Sequence, residues 1–141
     1  PVYTTSCYRW SQLNSHVAIK PDFALAYSNL GFVYIRQGKF DEGIEACKKA
    51  LEIDPQSLDA CLKLALAYLK KKDYDGVITA SGKALELNPE LGLAENYLGI
   101  AYYHKKEFRT AVEHCGRALA LGFQVDAELL KSLEPYVPGK G

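Results

Sequence analysis

The sequence predicts an all-α fold of stacked antiparallel helix pairs, and a period of 34 residues is the main observation behind this prediction. Large and small residues recur at this interval: Leu30, Leu64 and Leu98; Tyr34, Tyr68 and Tyr102; Gly31, Ala65 and Gly99; Ala50, Ala84 and Ala118; Pro55 and Pro89. A fixed period of this length is typical of supersecondary units that share one core. It favours a binding surface over a catalytic centre.

Each period reads as two helices joined by a short polar turn. Gly38 suits a left-handed helix C-cap, Asp73 suits an N-cap, and Ser57 can cap the helix that follows it. Pro55 and Pro89 stop the second helices because proline lacks the donor N–H. We therefore expect repeats at 24–57, 58–91 and 92–125, first helices over about 24–37, 58–71 and 92–105, and second helices over about 40–53, 74–87 and 108–121.

Small side chains predict where the two helices of a pair approach each other. On the first helix, Tyr27, Leu30, Gly31 and Tyr34 form the expected core face, with glycine or alanine giving room for the partner helix. Cys47, Ser81 and Cys115 share one column of the second helix and are expected to be small buried residues rather than metal ligands.

The two ends of the chain depart from the period. Residues 126–136 predict a capping helix with Leu129, Leu130 and Leu133 on its apolar face. Residues 1–20 are expected to be a separate N-terminal segment ahead of a repeat domain at 21–141. Because His16–Pro21 aligns with Ala50–Pro55, this segment is either part of a preceding repeat or an arm that fills a groove.

Composition excludes several function classes. Lys+Arg and Asp+Glu are both 17, and the zero net charge argues against nucleic acid as a partner. No apolar run approaches the roughly 18–20 residues that cross a membrane. The chain has no Met, which suggests a processed form or a fragment of a longer protein. Unpaired cysteines mildly favour a reducing compartment, so the cytoplasm is the default location.

Signatures of catalysis and of cofactor binding are missing from the sequence. There is no glycine-rich phosphate loop, no serine nucleophile elbow and no His-Glu-x-x-His motif. His16, His104 and His114 have no spaced carboxylate or thiol that suggests a triad. The cysteines do not cluster as metal ligands do. We therefore expect no enzyme activity, no metal and no cofactor.

The columns together resemble the tetratricopeptide repeat. The first copy is carried by Tyr27, Leu30-Gly31, Tyr34, Ala50 and Pro55. The second and third copies match at Leu64-Ala65, Tyr68, Ala84 and Pro89, and at Leu98-Gly99, Tyr102, Ala111 and Ala118. The resemblance implies a right-handed α-α superhelix, a solenoid of antiparallel helix pairs. It also implies that the first helices line a concave groove that binds other proteins.

In that architecture an inward stripe on the first helices is the expected peptide-binding groove. It consists of Ser28, Phe32, Ile35 and Arg36; Leu62, Leu66, Leu69 and Lys70; and Asn96, Ile100, Tyr103 and His104. Its large apolar members predict an apolar peptide or helix of another protein as the ligand. Phe32, Leu62, Leu66, Ile100 and Tyr103 would anchor it, and Asn96, Arg36 and Lys70 would orient it. This is the role of a scaffold or adaptor.

Other interpretations of the same groove stay open. Some co-chaperones of the family clamp an acidic C terminus with Lys, Asn and Arg, but Ser28 and Phe32 occupy clamp positions here. A structural, self-associating role would place residues 1–20 in the groove, of the same chain or of a neighbour, with Trp10 and Leu13 as plugs. The repeats could also dock substrate for a longer enzyme. The basic run at 70–72 reads as a solvated edge, or as a dock for an acidic segment.

Overall fold

The computed structural model describes the backbone of residues 19–140 and the side chains of residues 22–140. This part of the chain is all-helical and contains no strand. Its helices are α1 Ile19–Arg36, α2 Phe40–Ile53, α3 Leu58–Lys71, α4 Tyr74–Leu87, α5 Gly92–His104, α6 Phe108–Ala120 and α7 Ala127–Leu133, followed by a 3₁₀ turn at Glu134–Tyr136. The interpretations placed on residues 1–18 lie outside the described residues.

The predicted helix pairs are confirmed. Helices α2, α3 and α4 begin and end at the predicted residues, and α5 and α6 end one residue early. Helix α1 differs from the predicted range of about 24–37, since it begins at Ile19, takes in Pro21 and ends at Arg36. Proline is tolerated there because the N–H groups of a first helical turn have no intrahelical acceptor.

Local signals explain where the helices start and stop. The Ser57 and Asp73 side chains accept hydrogen bonds from the backbone N–H groups of Ala60 and Gly76, at 3.2 and 3.1 Å, as predicted for N-caps. Gly38 has a φ of +80°, and Lys72 and Lys106, one and two periods later, have φ values of 65° and 66°. Each pair therefore turns through one left-handed residue, whichever side chain stands there.

Close helix contacts explain the small residues. A Cβ atom built on Gly31 of α1 would lie 2.6 Å from Sγ of Cys47 on α2, and one built on Gly99 of α5 would lie 2.5 Å from Sγ of Cys115 on α6. Cys47, Ser81 and Cys115 are almost completely buried, which confirms the prediction that this column is a packing column.

Leu30 was predicted to lie in the core, but its side chain is exposed. Its equivalents Leu64 and Leu98 are 8% and 4% exposed, whereas Leu30 is 42% exposed. The second helix of one repeat packs against the first helix of the next, and the described residues contain no helix ahead of α1. The period predicts a buried leucine only where a preceding repeat exists to cover it.

At the other end, α7 covers the last repeat. Leu129 and Leu133 are buried in a cluster with Ala111, Cys115 and Ala118, and Leu130 packs at its margin. The predicted capping face is therefore confirmed, with a 3₁₀ turn following the helix. Within the described residues, no helix is both long and apolar enough to cross a bilayer.

Burial of the cysteines leads to a chemical prediction. Loss of hydration raises the pKa of Cys47 and of Cys115 to about 11, so both remain neutral thiols at ordinary pH. In a Cys7→Ser background, three buried thiols remain, because Cys61 is buried as well. We expect Ellman's reagent at mildly alkaline pH to modify none of them until the chain is unfolded. Rapid modification of any of them while circular dichroism shows an intact fold would contradict this expectation.

Candidate functional site

The curvature of the array places the first helices on its inner side. Helix α1 contacts α3 and α3 contacts α5 directly, whereas the second helices make no comparable contact with one another in the described part of the chain. Helices that touch along one side and separate on the other bend the stack toward the touching side. The concave surface is therefore lined by α1, α3 and α5.

Two predicted groove residues are not on that surface. Ser28 is fully buried, and Ile35 is 6% exposed with its side chain against Gly43 of α2. With Ala24 and Gly31 they form a stripe spaced by four, three and four residues that faces the interior. Both were expected in the groove, and both belong to the packing layer behind it.

A polar cluster that the sequence analysis did not identify spans α1 and α3. The Ser28 hydroxyl donates to Asp59, and Nζ of Lys63 donates to Oδ2 of Asp59 at 2.8 Å and to Oδ1 of Asn29 at 3.0 Å. Burial alone would raise the pKa of Asp59, but the hydrogen bonds from Lys63 and Ser28 outweigh it and lower the pKa. The signal that could have revealed this cluster is the 34-residue separation of Asn29 and Lys63, which places them side by side.

Phe32 lies beside this cluster at the start of the groove. The ammonium of Lys63 is 5.6 Å from the centroid of its ring, and the guanidinium carbon of Arg36 is 5.9 Å from it. Phe32 is half-buried and Arg36 is exposed. The ring therefore offers apolar area between two cations, a favourable arrangement for the cations as well.

Helix α3 supplies the middle of the concave side. Leu62, Leu66 and Leu69 are all half-buried, and Lys70 is exposed. Leu66 packs on the core formed by the first two repeats, and Leu62 on a core shared by the second and third. Leu62 and Leu66 thus each have one side packed on a core and another side open.

Helix α5 supplies the end of the concave side, where α7 closes over it. Ile100, Tyr103 and His104 form one wall of a cleft of about 300 Å³, and the other wall comes from Asp126, Glu128, Leu129 and Ser132. His104 is held by stacking on Tyr74, with 4.6 Å between the ring centroids. The cleft shows that the capping helix also shapes this end of the groove.

Asn96 has an unusual environment near the same end. Its Oδ1 atom is buried and has no hydrogen-bond partner among the described residues. The side chain lines an open cleft of about 520 Å³ with the loop that leads into α7, from Phe123 to Ala127. A buried acceptor without a donor costs free energy.

His114 is a second feature that the sequence analysis missed. Its Nδ1 atom lies 2.6 Å from Oε2 of Glu95, and its ring stacks on Tyr102 with 5.3 Å between centroids. Glu95 is 6% exposed, so the pair is largely buried between α5 and α6. A carboxylate partner was not expected for His114, because the two residues come from different helices and lie 19 residues apart.

The basic edge contains ion pairs that repeat with the array. Nζ of Lys71 lies 2.5 Å from Asp41, and Nζ of Lys105 lies 2.5 Å from Asp75, one period later. The hydrogen bond from each aspartate raises the pKa of its lysine. These exposed pairs link neighbouring repeats, and they fit the interpretation of a solvated edge.

The comparisons with known proteins agree on the fold. Family models described as "Tetratricopeptide repeat" match residues 24–57 and 58–91. The first repeat domain of Spaghetti (RPAP3), solved with the HSP90 peptide SRMEEVD, is 25% identical with a TM-score of 0.74, covering 82% of this chain and 90% of that one. The first such domain of human RPAP3 is 26% identical, with the same coverage and a TM-score of 0.73.

A third comparison shows the fold alone. The repeat domain of Arabidopsis OM64 is 13% identical, with a TM-score of 0.79, and the match covers 84% of this chain and 99% of that one. No curated protein sequence matches this chain significantly.

Stacked helix pairs with an open concave side define a helical repeat protein of the kind that binds other proteins. The family models and the solved structures specify which kind. Residues 24–91 match tetratricopeptide repeat models, and the seven helices of the described residues fit an array of this family, which is typically a non-enzymatic protein-interaction fold.

Proposed function

We propose that this protein binds an apolar peptide or helix of another protein in its concave groove and acts as a scaffold or adaptor without catalysing a reaction. One observation carries the proposal: six large apolar side chains on the first helices remain half-exposed along one side of the array. They are Phe32, Leu62, Leu66, Leu69, Ile100 and Tyr103.

The energetics support a ligand for this surface. Burying a large apolar side chain contributes about 1.5–3 kcal/mol when burial is complete, and these side chains are already buried on one side. Covering the remainder of six such groups yields several kcal/mol, enough to offset part of the cost of association. Four of them, Leu62, Leu66, Ile100 and Tyr103, already pack against buried cores, so they lose little side-chain entropy on binding.

Polar groups at the two ends would orient the ligand. The side chain of Asn96 lines the open cleft beside α7, where its amide group can hydrogen-bond to a peptide. Arg36 and Lys70 are exposed beside the apolar stripe and can pair with acidic residues that flank an apolar segment.

A clamp for an acidic C terminus is the competing candidate, because the Spaghetti (RPAP3) domain was solved with SRMEEVD. Two features of this chain favour the apolar ligand. Lys63, the half-buried cation of the concave side, is already bound by Asp59 and Asn29. The residues that follow along the groove, Leu66 and Ile100, have no charge to offer a carboxylate.

The test selects random peptides on the intact protein and measures their affinity by fluorescence anisotropy. We expect the selected peptides to carry apolar residues three and four apart, as a helix in a groove requires. We expect Leu66→Glu to weaken their binding about 100-fold, equivalent to about 2.7 kcal/mol, because a charge replaces a central anchor.

The matched control is Leu119→Glu, which places the same charge on an exposed leucine of α6, a second helix. It should leave affinity unchanged. Selected peptides that bind Leu66→Glu as tightly as the intact chain would rule out the groove. Tight binding of SRMEEVD that is lost in Lys63→Ala and kept in Leu66→Glu would establish the acidic clamp instead.

A further inference from the structure

The N-terminal end face of the array is apolar and uncovered by the described residues. It is the side of α1 that carries Leu30, which is 42% exposed against 8% for Leu64 and 4% for Leu98 at the equivalent positions. Phe23 and Val33 on this side are 55% and 48% exposed. These residues lie on one side of the helix because their spacing follows its turn.

Alanine positions show the same contrast within one molecule. Ala26 is exposed, whereas its counterparts one and two periods later are fully buried. The counterparts of Ala26 are Ala60 and Ala94. The counterparts of Val33, which are Ala67 and Ala101, are also fully buried. The face of α1 therefore has the residue pattern of a surface that receives another segment.

A cleft marks the place where that segment would lie. It has a volume of about 160 Å³ and is lined on α1 by Tyr27, Leu30 and Tyr34, and on α2 by Ala46 and the charged residues Glu42, Glu45 and Lys49. In the second repeat, the corresponding Leu64 packs in one core with Ile44 and Cys47 of α2, the helix before it. In the first repeat, the cleft is the equivalent space beside Leu30. It is open because the described residues contain no helix ahead of α1.

The C-terminal end shows how this chain treats the opposite face. There α7 buries Leu129 and Leu133 against the last helix pair. One end of the solenoid is thus closed by a short segment that follows the repeats in the chain, and the other end exposes large apolar side chains. The same solution is available at the N terminus, since residues 1–18 lead directly into α1.

We propose that residues 1–18 of this chain cover the end face of α1, with Trp10 and Leu13 as the anchors. From Phe23 to Tyr34 the face is about 17 Å long, at about 1.5 Å per helical residue. Asn14 and Ser15 favour a turn, and a reversal ahead of Ile19 would run residues 1–13 back along α1. The tether gives this segment a high effective concentration at the face.

Trp10 is the only tryptophan of the chain, so its fluorescence reports on the segment alone. In the intact protein, we expect blue-shifted emission and protection from acrylamide. In Leu30→Glu, we expect a red shift, and a quenching constant that rises to that of a synthetic peptide of residues 1–18. Val33→Glu should do the same, and it serves as the second variant if Leu30→Glu loses its helical circular dichroism.

Two variants serve as controls for position. Leu25→Glu places the charge on another exposed leucine of α1, away from the end face, and Leu66→Glu places it in the groove. Both should leave Trp10 protected. Quenching of the intact protein as strong as that of the peptide would overturn the proposal.

Exposure of Trp10 by Leu66→Glu and not by Leu30→Glu would place the segment in the groove and also overturn the proposal. Protection that disappears on dilution would overturn it in favour of a second copy of the chain as the cover. None of these results decides whether the groove binds a partner, which the peptide measurements test separately.

Discussion

Replacing His114 with alanine is expected to lower the free energy of unfolding by about 2–3 kcal/mol, because it removes the hydrogen-bond partner of a buried carboxyl group. The side chain of Glu95 is 7% exposed, and its Oε2 atom lies 2.6 Å from Nδ1 of His114. Among the described residues, no other hydrogen-bond donor is bound to this carboxylate. Without the imidazole, the carboxyl group of Glu95 stays buried between α5 and α6 with no hydrogen-bond partner among the described residues. Chemical denaturation followed by circular dichroism measures the loss.

The second repeat provides the control for this prediction. One period before Glu95 and His114, the chain has Cys61 and Ala80, which are both buried. The double variant Glu95→Cys/His114→Ala gives the third repeat the same pair, so it should recover most of the loss, because replacing both partners of a buried hydrogen bond by apolar groups can be nearly neutral. A double variant as unstable as His114→Ala would show that the unpaired carboxylate is not the cause.

The helix pairs were predictable because their signals are local or strictly periodic. Ser57 and Asp73 cap helices that begin at the next residue, and Pro55 follows a helix that ends at Ile53. Each signal acts within one turn of the backbone, and the period repeats it. The positions of α2, α3 and α4 therefore follow from the sequence without knowledge of the tertiary structure.

The groove was predictable only in part, because a helix surface has no sharp boundary between its sides. Ser28 and Phe32 are four residues apart and point only about 40° apart, yet one is buried and the other is half-exposed. Which of them faces the open side depends on how close α3 approaches. That approach is a property of the packed array.

The 34-residue period also could not predict features that depend on a residue's position in the array. Leu30 has the same column as Leu64 but a different neighbour, so identical residues have different exposure. The pairing of Glu95 with His114 depends on α5 packing against α6. The sequence did contain a signal for this pair, since Glu95 and His114 are both polar where the second repeat has Cys61 and Ala80.

Replacing Gly99 with alanine is the second large effect, with an expected loss of about 1–2 kcal/mol in the free energy of unfolding. The new Cβ atom would lie 2.5 Å from Sγ of Cys115, and relieving such overpacking costs about 1–3 kcal/mol. The better helix propensity of alanine returns up to about 1 kcal/mol. Thermal and chemical denaturation of the single variant measure the net effect.

The chain itself indicates how this loss can be reversed. Glycine faces cysteine in the first and third repeats, at Gly31 and Cys47 and at Gly99 and Cys115, whereas Ala65 shares its repeat with Ser81. The larger residue on one helix thus occurs with the smaller one on the other. We expect Gly99→Ala to cost at least about 1 kcal/mol less in a Cys115→Ser background than alone, a coupling typical of residues in contact.

Cys115→Ser has a destabilising effect of its own that the comparison must subtract. The equivalent hydroxyl, that of Ser81, is buried without a hydrogen-bond partner in the described part of the chain, and a serine at position 115 is expected to be in the same situation. The comparison therefore needs both single variants and the double variant under the same conditions. Losses that simply add would mean that the helices of the third repeat move apart to admit the methyl group. Strong coupling would mean that the sulfur atom limits their approach, and that the volumes of the two columns are matched repeat by repeat.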